Sequence, residues 1–270
     1  VSCFKGYNHG YTGLIPPYIV LTESQGRFAE EGFLGPLYKP FATGGDPNQK
    51  IFTVDGVVAA GISEQRQRDR RNLLHALDSL GKAGCRYVQM DDTNLAYLCD
   101  DKMREGARQR GDDPDELPRR YARLINAAIA GKPEGMATAV HLCRGNFKSA
   151  WAAEGGYEPV AETLFNKIGV DAYFLEYDSE RAGDFKPLRH VPKGKTVVLG
   201  LISTKTPKLE SKKELLRRID DAAKYMPLDQ LCISPQCGFS SGGGGGQVVT
   251  QDDQKRKIGL LHEVAKTVWG

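Results

Sequence analysis

The sequence predicts an α/β protein with a (β/α)8 TIM-barrel-like fold that is incomplete and is preceded by an irregular N-terminal segment. From about residue 63 onward, apolar strands alternate with amphipathic helices through short connections, a pattern typical of a parallel sheet covered by helices. Polar residues stand at the ends of five of these strands. The first 62 residues lack the alternation, so we expect fewer than eight βα units.

Each element is assigned from the spacing of its apolar residues. Ser63 is a candidate N-cap, and Leu73, Leu77 and Leu80 recur at helical spacing, so residues 63–84 are predicted to form a helix. Gly131 is expected to end a second helix as its C-terminal glycine. Apolar runs predict strands at 85–92, 136–143, 170–177, 196–203 and 229–237. Amphipathic spacing predicts further helices at 115–131, 158–169, 211–226 and 253–269.

Polar side chains at the strand ends favour a barrel over an open doubly wound sheet. In both architectures the chemistry lies at the carboxyl ends of the parallel strands. In a barrel, adjacent strands all point toward one mouth, whereas in an open sheet only the switch point gathers side chains. The residues concerned are Asp91 and Asp92, His141 and Cys143, Glu176, Ser203 and Lys205, and Cys237.

The N-terminal segment, residues 1–62, is rich in glycine, proline and aromatic residues, with at most short strands at 18–24 and 50–56. Three more βα units would need roughly a hundred residues. We therefore divide the chain into this irregular segment and a β/α barrel portion, residues 63–270. The tract Ser240–Gln247 holds five consecutive glycines and is expected to be a plain surface loop.

Composition limits the classes of partner. The chain has 270 residues, of which 40% are hydrophobic and 26% charged, ordinary values for a protein with a sizeable core. The net charge of +3 comes from 37 basic and 34 acidic residues spread along the chain, which gives no basic face for nucleic acid. No stretch is long enough to span a membrane, and the N-terminus lacks the layout of a signal peptide. We expect a cytoplasmic protein with a small-molecule partner.

His141 and Cys143 form a candidate metal-binding pair. Side chains two residues apart on a strand share a face, so the imidazole and the thiol can reach the same atom. Glu176 and Cys237 follow other strand ends, and imidazole, thiolate and carboxylate together suit zinc. The pair alone is weak evidence, because a buried histidine or thiol is more often structural. With all four residues, zinc is the expected cofactor.

Such a donor set is suited to alkylating sulfur. An incoming thiol could displace the carboxylate of Glu176, and zinc would lower the pKa of that thiol. A site for hydrolysis would more commonly be rich in histidine or carboxylate and hold a zinc-bound water. The other thiols considered, Cys85, Cys99 and Cys232, lack this setting and are expected to pack as small buried hydrophobes.

Five motifs, taken in order, resemble the carboxyl half of the cobalamin-independent methionine synthase family, in its short single-barrel branch. They lie between about residue 80 and residue 270 and read YVQMDDTNLAYL, VHLCRGNF, FLEYDSERAGDF, VVLGLISTKTPKLE and LCISPQCGFSS. The resemblance implies transfer of a methyl group from a methyltetrahydrofolate-type donor to the thiol of homocysteine. It also implies zinc bound by His141, Cys143, Glu176 and Cys237.

The resemblance further implies that Asp91 holds the amino group of the amino-acid substrate, with Asp92 beside it at the same mouth. The alternative for Asp91 is an N-cap of the helix that follows the strand. Lys205 stands where the full-length synthases have a histidine proposed as general acid or base. A lysine can transfer protons when desolvation lowers its pKa, so Lys205 is the candidate catalytic residue.

The family's amino half is not recognisable before about residue 80. There, GFLGPLYKPFATGGDPN and RQRDRRNLLHALD faintly resemble a branch of the alkaline-phosphatase and sulfatase superfamily, which suggests a fusion or a truncated form. Two alternatives therefore stay open: zinc-dependent alkyl transfer to another small thiol, and a zinc-binding form without catalysis. A second copy of the chain could cover the open side of an incomplete barrel, so a homo-oligomer is possible.

Overall fold

The computed structural model describes residues 76–146, 149–240 and 248–270, together with two short strands, β1 (Ile19–Val20) and β2 (Phe41–Ala42). β1 and β2 pair in parallel as a separate two-stranded sheet. The rest of the N-terminal segment, the proposed boundary between residues 62 and 63, and most of the glycine tract lie outside the described residues. The expectations for those parts remain predictions.

A five-stranded parallel sheet forms the centre of the fold, and its strands follow one another in chain order. Every neighbouring pair runs parallel, which confirms the α/β prediction. Within the described residues the sheet is not closed, since β3 and β7 are its two edges. All five carboxyl ends therefore meet on one side of the sheet. The strands are β3 (Tyr87–Asp92), β4 (Ala137–Leu142), β5 (Ala172–Glu176), β6 (Thr196–Ile202) and β7 (Leu231–Pro235).

Helices connect the strands as the alternating pattern predicts. Among the described helices, none is both long and apolar enough to cross a lipid bilayer. Short 3-10 helices span Glu180–Ala182, Lys186–His190 and Leu228–Gln230. The α-helices are α1 (Ala76–Lys82), α2 (Asn94–Tyr97), α3 (Asp101–Gln109), α4 (Leu117–Ile129), α5 (Glu158–Lys167), α6 (Lys212–Ala223) and α7 (Gln251–Trp269).

Helices α2 and α3 are absent from the sequence prediction because neither has a long apolar repeat. Side-chain caps define them instead. Asp92 Oδ1 accepts a hydrogen bond from the backbone N–H of Leu95 at 2.7 Å. Asp100 Oδ1 accepts from the N–H groups of Lys102 at 2.9 Å and Met103 at 3.3 Å. These carboxylates satisfy backbone donors that have no partner within the first turn of a helix.

The core lies on both faces of the sheet. In β4 every residue after Ala137 is buried, and in β6 every residue after Thr196 is buried. Strands that are apolar on both faces require cover on both sides, as in parallel α/β folds. On one side α5 is held to β5 by Tyr173, whose hydroxyl donates to the carbonyl oxygens of Phe165 at 3.2 Å and Ile168 at 3.0 Å.

Two of the three cysteines predicted to be packing residues are buried, and one is not. Cys85 and Cys99 lie in the core. Cys232 is exposed, so the prediction is wrong for this residue. The physical reason is its position in β7, an edge strand of the five-stranded sheet in which Leu231 alone is buried.

Candidate metal centre

The candidate centre is built at the carboxyl ends of β4, β5 and β7. His141 lies near the end of β4 and Cys143 just beyond it. Glu176 is the last residue of β5, and Cys237 lies two residues after Pro235, where β7 ends. Because these strands are parallel members of one sheet, residues far apart in sequence are delivered to the same edge.

Gly200 of β6 allows the end of β7 to approach the other strands. A Cβ atom at this position would lie 2.7 Å from Gln236 Cα and 2.9 Å from the carbonyl oxygen of Leu175, both too short for a real contact. The register between β6 and β7 shifts at the same place, since Gly200 pairs with Ser234 and Ile202 with Pro235. A glycine at 200 thus permits the close backbone approach that places Gln236 and Cys237.

Four donor atoms cluster at this edge. One ligand atom each from His141, Cys143, Glu176 and Cys237 lies within 4.8 Å of all the others. The two sulfur atoms are 3.8 Å apart, far beyond the roughly 2.05 Å of a disulfide. His141, Cys143 and Glu176 are buried, whereas Cys237 is half-buried. The set could hold one metal ion.

Glu176 supplies a test of whether a cation fits here. Its side chain is fully buried, and within the part of the chain that the structure describes Oε1 receives no hydrogen bond. His141 Nε2 lies 3.4 Å from this oxygen. Burial opposes ionisation, but contact with His141 holds the pKa of Glu176 below its ordinary value. A buried carboxylate oxygen that accepts no hydrogen bond within the described residues, and that lies beside two thiols, is the arrangement that a divalent cation satisfies.

Asp91 orients His141. The Nδ1 atom of the imidazole lies 2.7 Å from Asp91 Oδ1, and Nε2 lies 3.1 Å from the backbone oxygen of Gln236. Burial disfavours the charged imidazole, but the Asp91 carboxylate outweighs burial and raises the pKa of His141 well above its ordinary value. With Nδ1 engaged, Nε2 is directed toward Glu176 and Gln236, which leaves it as the nitrogen for a metal.

The two aspartates predicted at the mouth have different surroundings. Asp91 contacts His141, so the alternative of a helix N-cap for Asp91 is wrong. Asp92, which precedes the N-cap residue Thr93, caps the first turn of α2 instead, because its side chain lies on the opposite face of the strand and accepts from the N–H of Leu95. Burial raises the pKa of Asp92 to about 6, against the hydrogen bonds it accepts from the backbone of Leu95 and Asn94.

Lys205 belongs to a buried polar network beside the four donors. Its Nζ donates to Gln236 Oε1 at 2.9 Å, and Thr204 Oγ1 donates to the same oxygen at 3.3 Å. Asn146 Nδ2 donates to Thr204 Oγ1 at 3.0 Å and to the carbonyl oxygen of Gly238 at 3.1 Å. Burial lowers the pKa of Lys205, partly opposed by Glu176. Sequence analysis missed Asn146, Thr204 and Gln236, although each lies next to a strand end that it singled out.

Arg181 is another residue that sequence analysis missed. Its Nη2 donates to Glu176 Oε2 at 3.0 Å and to Asp178 Oδ1 at 2.7 Å. The guanidinium carbon lies 5.3 Å from the centre of the Trp151 ring. The sequence does contain a sign of Arg181, because three of the five residues that follow Glu176 are charged.

An open cleft of about 1170 Å³ lies beside Lys205. Trp151 and Ser179 line it together with Lys205 and Ser203. Trp151 is 50% exposed, so a flat aromatic surface faces solvent in the cleft that Lys205 also lines. This cleft is large enough for a small molecule.

A family model described as the cobalamin-independent synthase catalytic domain matches residues 69–251. The curated Bacillus subtilis protein named uncharacterized protein YxjH is 46% identical over 195 residues, which are 72% of this chain and 52% of that protein. The chain thus spans about half the length of this relative. A Bacillus licheniformis 5-methyltetrahydropteroyltriglutamate–homocysteine methyltransferase is 24% identical over 165 residues, which are 61% of this chain and 19% of that protein.

Solved structures agree on the fold. A Listeria monocytogenes protein provisionally named a vitamin-B12-independent methionine synthase superposes with a TM-score of 0.56 and 33% identity. The match covers 77% of this chain and 57% of the Listeria chain. The open five-stranded parallel sheet therefore corresponds to part of a larger TIM-barrel-like architecture.

Proposed function

Because the chain belongs to the cobalamin-independent synthase catalytic-domain family, we propose that it transfers a methyl group to the thiol of homocysteine at a zinc centre. The proposed ligands are His141, Cys143, Glu176 and Cys237. The proposed methyl donor is of the methyltetrahydrofolate type. The homocysteine methyltransferase of Bacillus licheniformis, which is 24% identical over 165 residues, supports this choice of donor and acceptor.

The observation that carries the proposal is the convergence of four donor atoms within 4.8 Å at the ends of three strands. Two sulfur donors, one nitrogen and one oxygen match the preferences of zinc rather than those of magnesium or calcium, which select oxygen. When bound, zinc would make a coordinated thiol a thiolate at neutral pH and so a nucleophile toward the methyl group.

The surrounding residues would hold the reacting groups. Asp91 keeps the imidazole of His141 in one orientation through the 2.7 Å contact at Nδ1. Lys205, whose pKa burial lowers, is the proposed general acid or base, since a lowered pKa makes the ammonium group a better proton donor. We also propose that Asp91 takes part in binding the amino group of the substrate and that Asp92 supports this edge as the cap of α2.

The test measures zinc content and methyl transfer on the same preparation. Wild-type protein is expected to hold about one zinc per chain and to form methionine from homocysteine and a methyltetrahydrofolate donor. Cys237→Ser should lose at least about ten-fold in zinc affinity and lose activity with it. Cys232→Ser is the matched control, since this exposed cysteine lies outside the donor cluster. Full zinc binding and activity in the Cys237→Ser variant would contradict the proposal.

A second candidate function is alkyl transfer to another small thiol. Lys205 favours it, because this residue stands where the full-length synthases have histidine and lies at the wall of the cleft. Acceptor specificity depends on groups that contact the substrate. A screen of small thiols against several methyl donors separates the two candidates. Stoichiometric zinc without turnover on any pair would instead favour a zinc-binding form without catalysis.

A further inference from the structure

The two oxygens of Glu176 have different surroundings. Oε2 accepts a hydrogen bond from Arg181 Nη2 at 3.0 Å. Oε1 is buried in the donor cluster and, within the described parts of the chain, receives no hydrogen bond. One oxygen is therefore bound to a cation of the protein, and the other is presented to the metal position. A carboxylate held in this way shares its negative charge between two cations.

Arg181 is fixed independently of any metal. Its side chain is only 4% exposed, and Trp151 covers the guanidinium at 5.3 Å. Its backbone oxygen accepts from the N–H of Gly155 at 2.8 Å. Gly155 has φ +104° and lies so close to Cys99 that a Cβ would be 2.0 Å from the Cys99 carbonyl oxygen, so this backbone approach requires glycine.

Two nitrogen atoms of Arg181 have unused hydrogen-bond donors within the described residues. Nε and Nη1 are buried and, as far as the described residues extend, make no hydrogen bond. Nη2 alone serves both Glu176 and Asp178. An unsatisfied buried donor is costly, and a guanidinium presents five donors in a fixed fork. The side chain could therefore hold a carboxylate oxygen that leaves the metal position.

We propose that Arg181 is the positioning residue that makes Glu176 the exchangeable ligand of the centre. This inference rests on the proposed function, since it assumes a metal bound at Glu176. With a metal bound, Arg181 would draw charge to Oε2 and leave Oε1 the weaker donor. An incoming thiol would lose its proton to solvent and replace Oε1, and the released carboxylate would stay paired with Arg181.

Cys143 and Cys237 supply the two thiolate ligands, and their sulfur atoms lie 3.8 Å apart. Asp91 contacts the remaining ligand, His141, and strengthens it, because a carboxylate on the distal nitrogen raises the basicity of an imidazole. The two ligands therefore have neighbours of opposite charge: the Asp91 carboxylate contacts His141, and the Arg181 guanidinium contacts Glu176. This difference assigns exchange to Glu176.

The test is a double-mutant cycle on metal affinity and thiol exchange, without any methyl donor. Zinc affinity is measured by competition with a chromophoric chelator. Exchange is measured on cobalt-loaded protein, as the homocysteine concentration that gives half of the new thiolate-to-cobalt absorption. In Arg181→Met we expect zinc affinity to stay equal or rise, and this homocysteine concentration to rise about ten-fold, because a nearby positive charge is removed.

Both effects should disappear in a Glu176→Gln background, since Arg181 is argued to act through that carboxylate. Arg181→Lys keeps the charge and should stay within about three-fold of wild type, which covers the case in which Arg181→Met fails to fold. Arg119→Met, at an exposed arginine of α4, is the matched control. Weaker zinc binding in Arg181→Met, or equal effects in the Glu176→Gln background, would overturn the inference.

The experiment also separates this inference from the proposed function. Normal metal binding with unchanged thiol exchange in Arg181→Met overturns the role of Arg181 and leaves the zinc centre intact. Wild-type protein that binds neither zinc nor cobalt overturns the proposed centre itself. Methyl transfer is not measured in this experiment, because no methyl donor is present. Its failure would therefore change neither conclusion.

Discussion

Asp91 and Asp92 are adjacent residues whose side chains serve different partners. Asp91 contacts His141 Nδ1 at 2.7 Å, whereas Asp92 accepts from the N–H of Leu95 at 2.7 Å. We predict that Asp91→Asn lowers zinc affinity about ten- to hundred-fold, as loss of an outer-shell partner does at other metal sites. The measurement is a chelator competition at pH 7.

Asp92→Asn is the control for that prediction, because an asparagine oxygen can still accept from the N–H of Leu95. Its zinc affinity should stay within about three-fold of wild type, since the carboxamide keeps the cap of α2. Equal losses of zinc affinity in the two variants would show that a change at either aspartate weakens zinc binding. Asp91 would then have no specific role in orienting His141.

The cluster of donors could be predicted from sequence, but the residues that tune it could not. Strand alternation places His141 and Cys143 on one face, and parallel strand order brings Glu176 and Cys237 to the same edge. Arg181 lies in an irregular connection, where no periodic pattern fixes the direction of a side chain. Its contact with Glu176 depends on the turn taken after β5.

At the scale of elements, a buried ion pair joins α7 to the connection after β6. Lys257 Nζ donates to Glu210 Oε1 at 3.0 Å and Oε2 at 2.9 Å, and its side chain is fully buried. Glu210 Oε1 also accepts from the N–H of Ser203 at 2.9 Å. We predict that Lys257→Met lowers the free energy of unfolding by about 2–3 kcal/mol, because Glu210, whose side chain is 19% exposed, loses its cation.

Denaturant unfolding measures this loss. Lys255→Met is the matched control on the same helix, since Lys255 is 77% exposed and should change stability by less than about 0.5 kcal/mol. The double variant Lys257→Met with Glu210→Gln should recover part of the loss, because the neutral amide still accepts from Ser203. A loss in Lys257→Met no larger than that of Lys255→Met would contradict the prediction.

A second link between elements is sensitive to pH. Asp171, just before β5, accepts from the N–H of Thr138 at 2.7 Å and its hydroxyl at 3.0 Å, and also binds Lys132. Partial burial raises the pKa of Asp171, but these hydrogen bonds outweigh it and hold the pKa below its ordinary value. The carboxylate therefore stabilises the fold above its unfolded pKa of about 3.9.

That stabilisation is lost as pH falls through the lower folded pKa of Asp171. We predict that Asp171→Asn costs about 1 kcal/mol at pH 7, a modest value because solvent reaches the side chain. The difference from wild type should shrink below about pH 4. Unfolding curves at pH 7 and pH 3 measure the difference in unfolding free energy between wild type and Asp171→Asn. An equal difference at both pH values would show that the ionised carboxylate does not stabilise the fold.

Long periodic elements were predictable, and short capped elements were not. The strands and helices α4 to α7 agree with their predicted ranges to within a few residues because burial of an apolar face sets both their sequence and their position. Helix α2 has four residues, too few for a period. The side chain of Asp92 stabilises its first turn by accepting from the N–H of Leu95, and this hydrogen bond is visible only in the folded chain.

At the scale of the whole molecule, the centre depends on the order of the sheet. The ligands come from β4, β5 and β7, while β6 lies between β5 and β7 and carries Gly200 where the backbones approach. An unfolded chain holds Cys143 and Cys237 far apart, since 94 residues separate them. A metal that needs all four donors can therefore bind tightly only to the folded sheet.

This coupling predicts that zinc stabilises the fold. Free zinc at about 100 times its dissociation constant should raise the free energy of unfolding by about 2.7 kcal/mol, which corresponds to a rise in Tm of roughly 5–10 °C for a chain of this size. Thermal unfolding with zinc and with a chelator measures the shift. In the Cys143→Ser, Cys237→Ser double variant the shift should vanish, because two of the four ligands are gone. If the double variant shows the same rise in Tm as wild type, zinc is acting elsewhere on the chain, and the link between the strand ends and the metal is wrong.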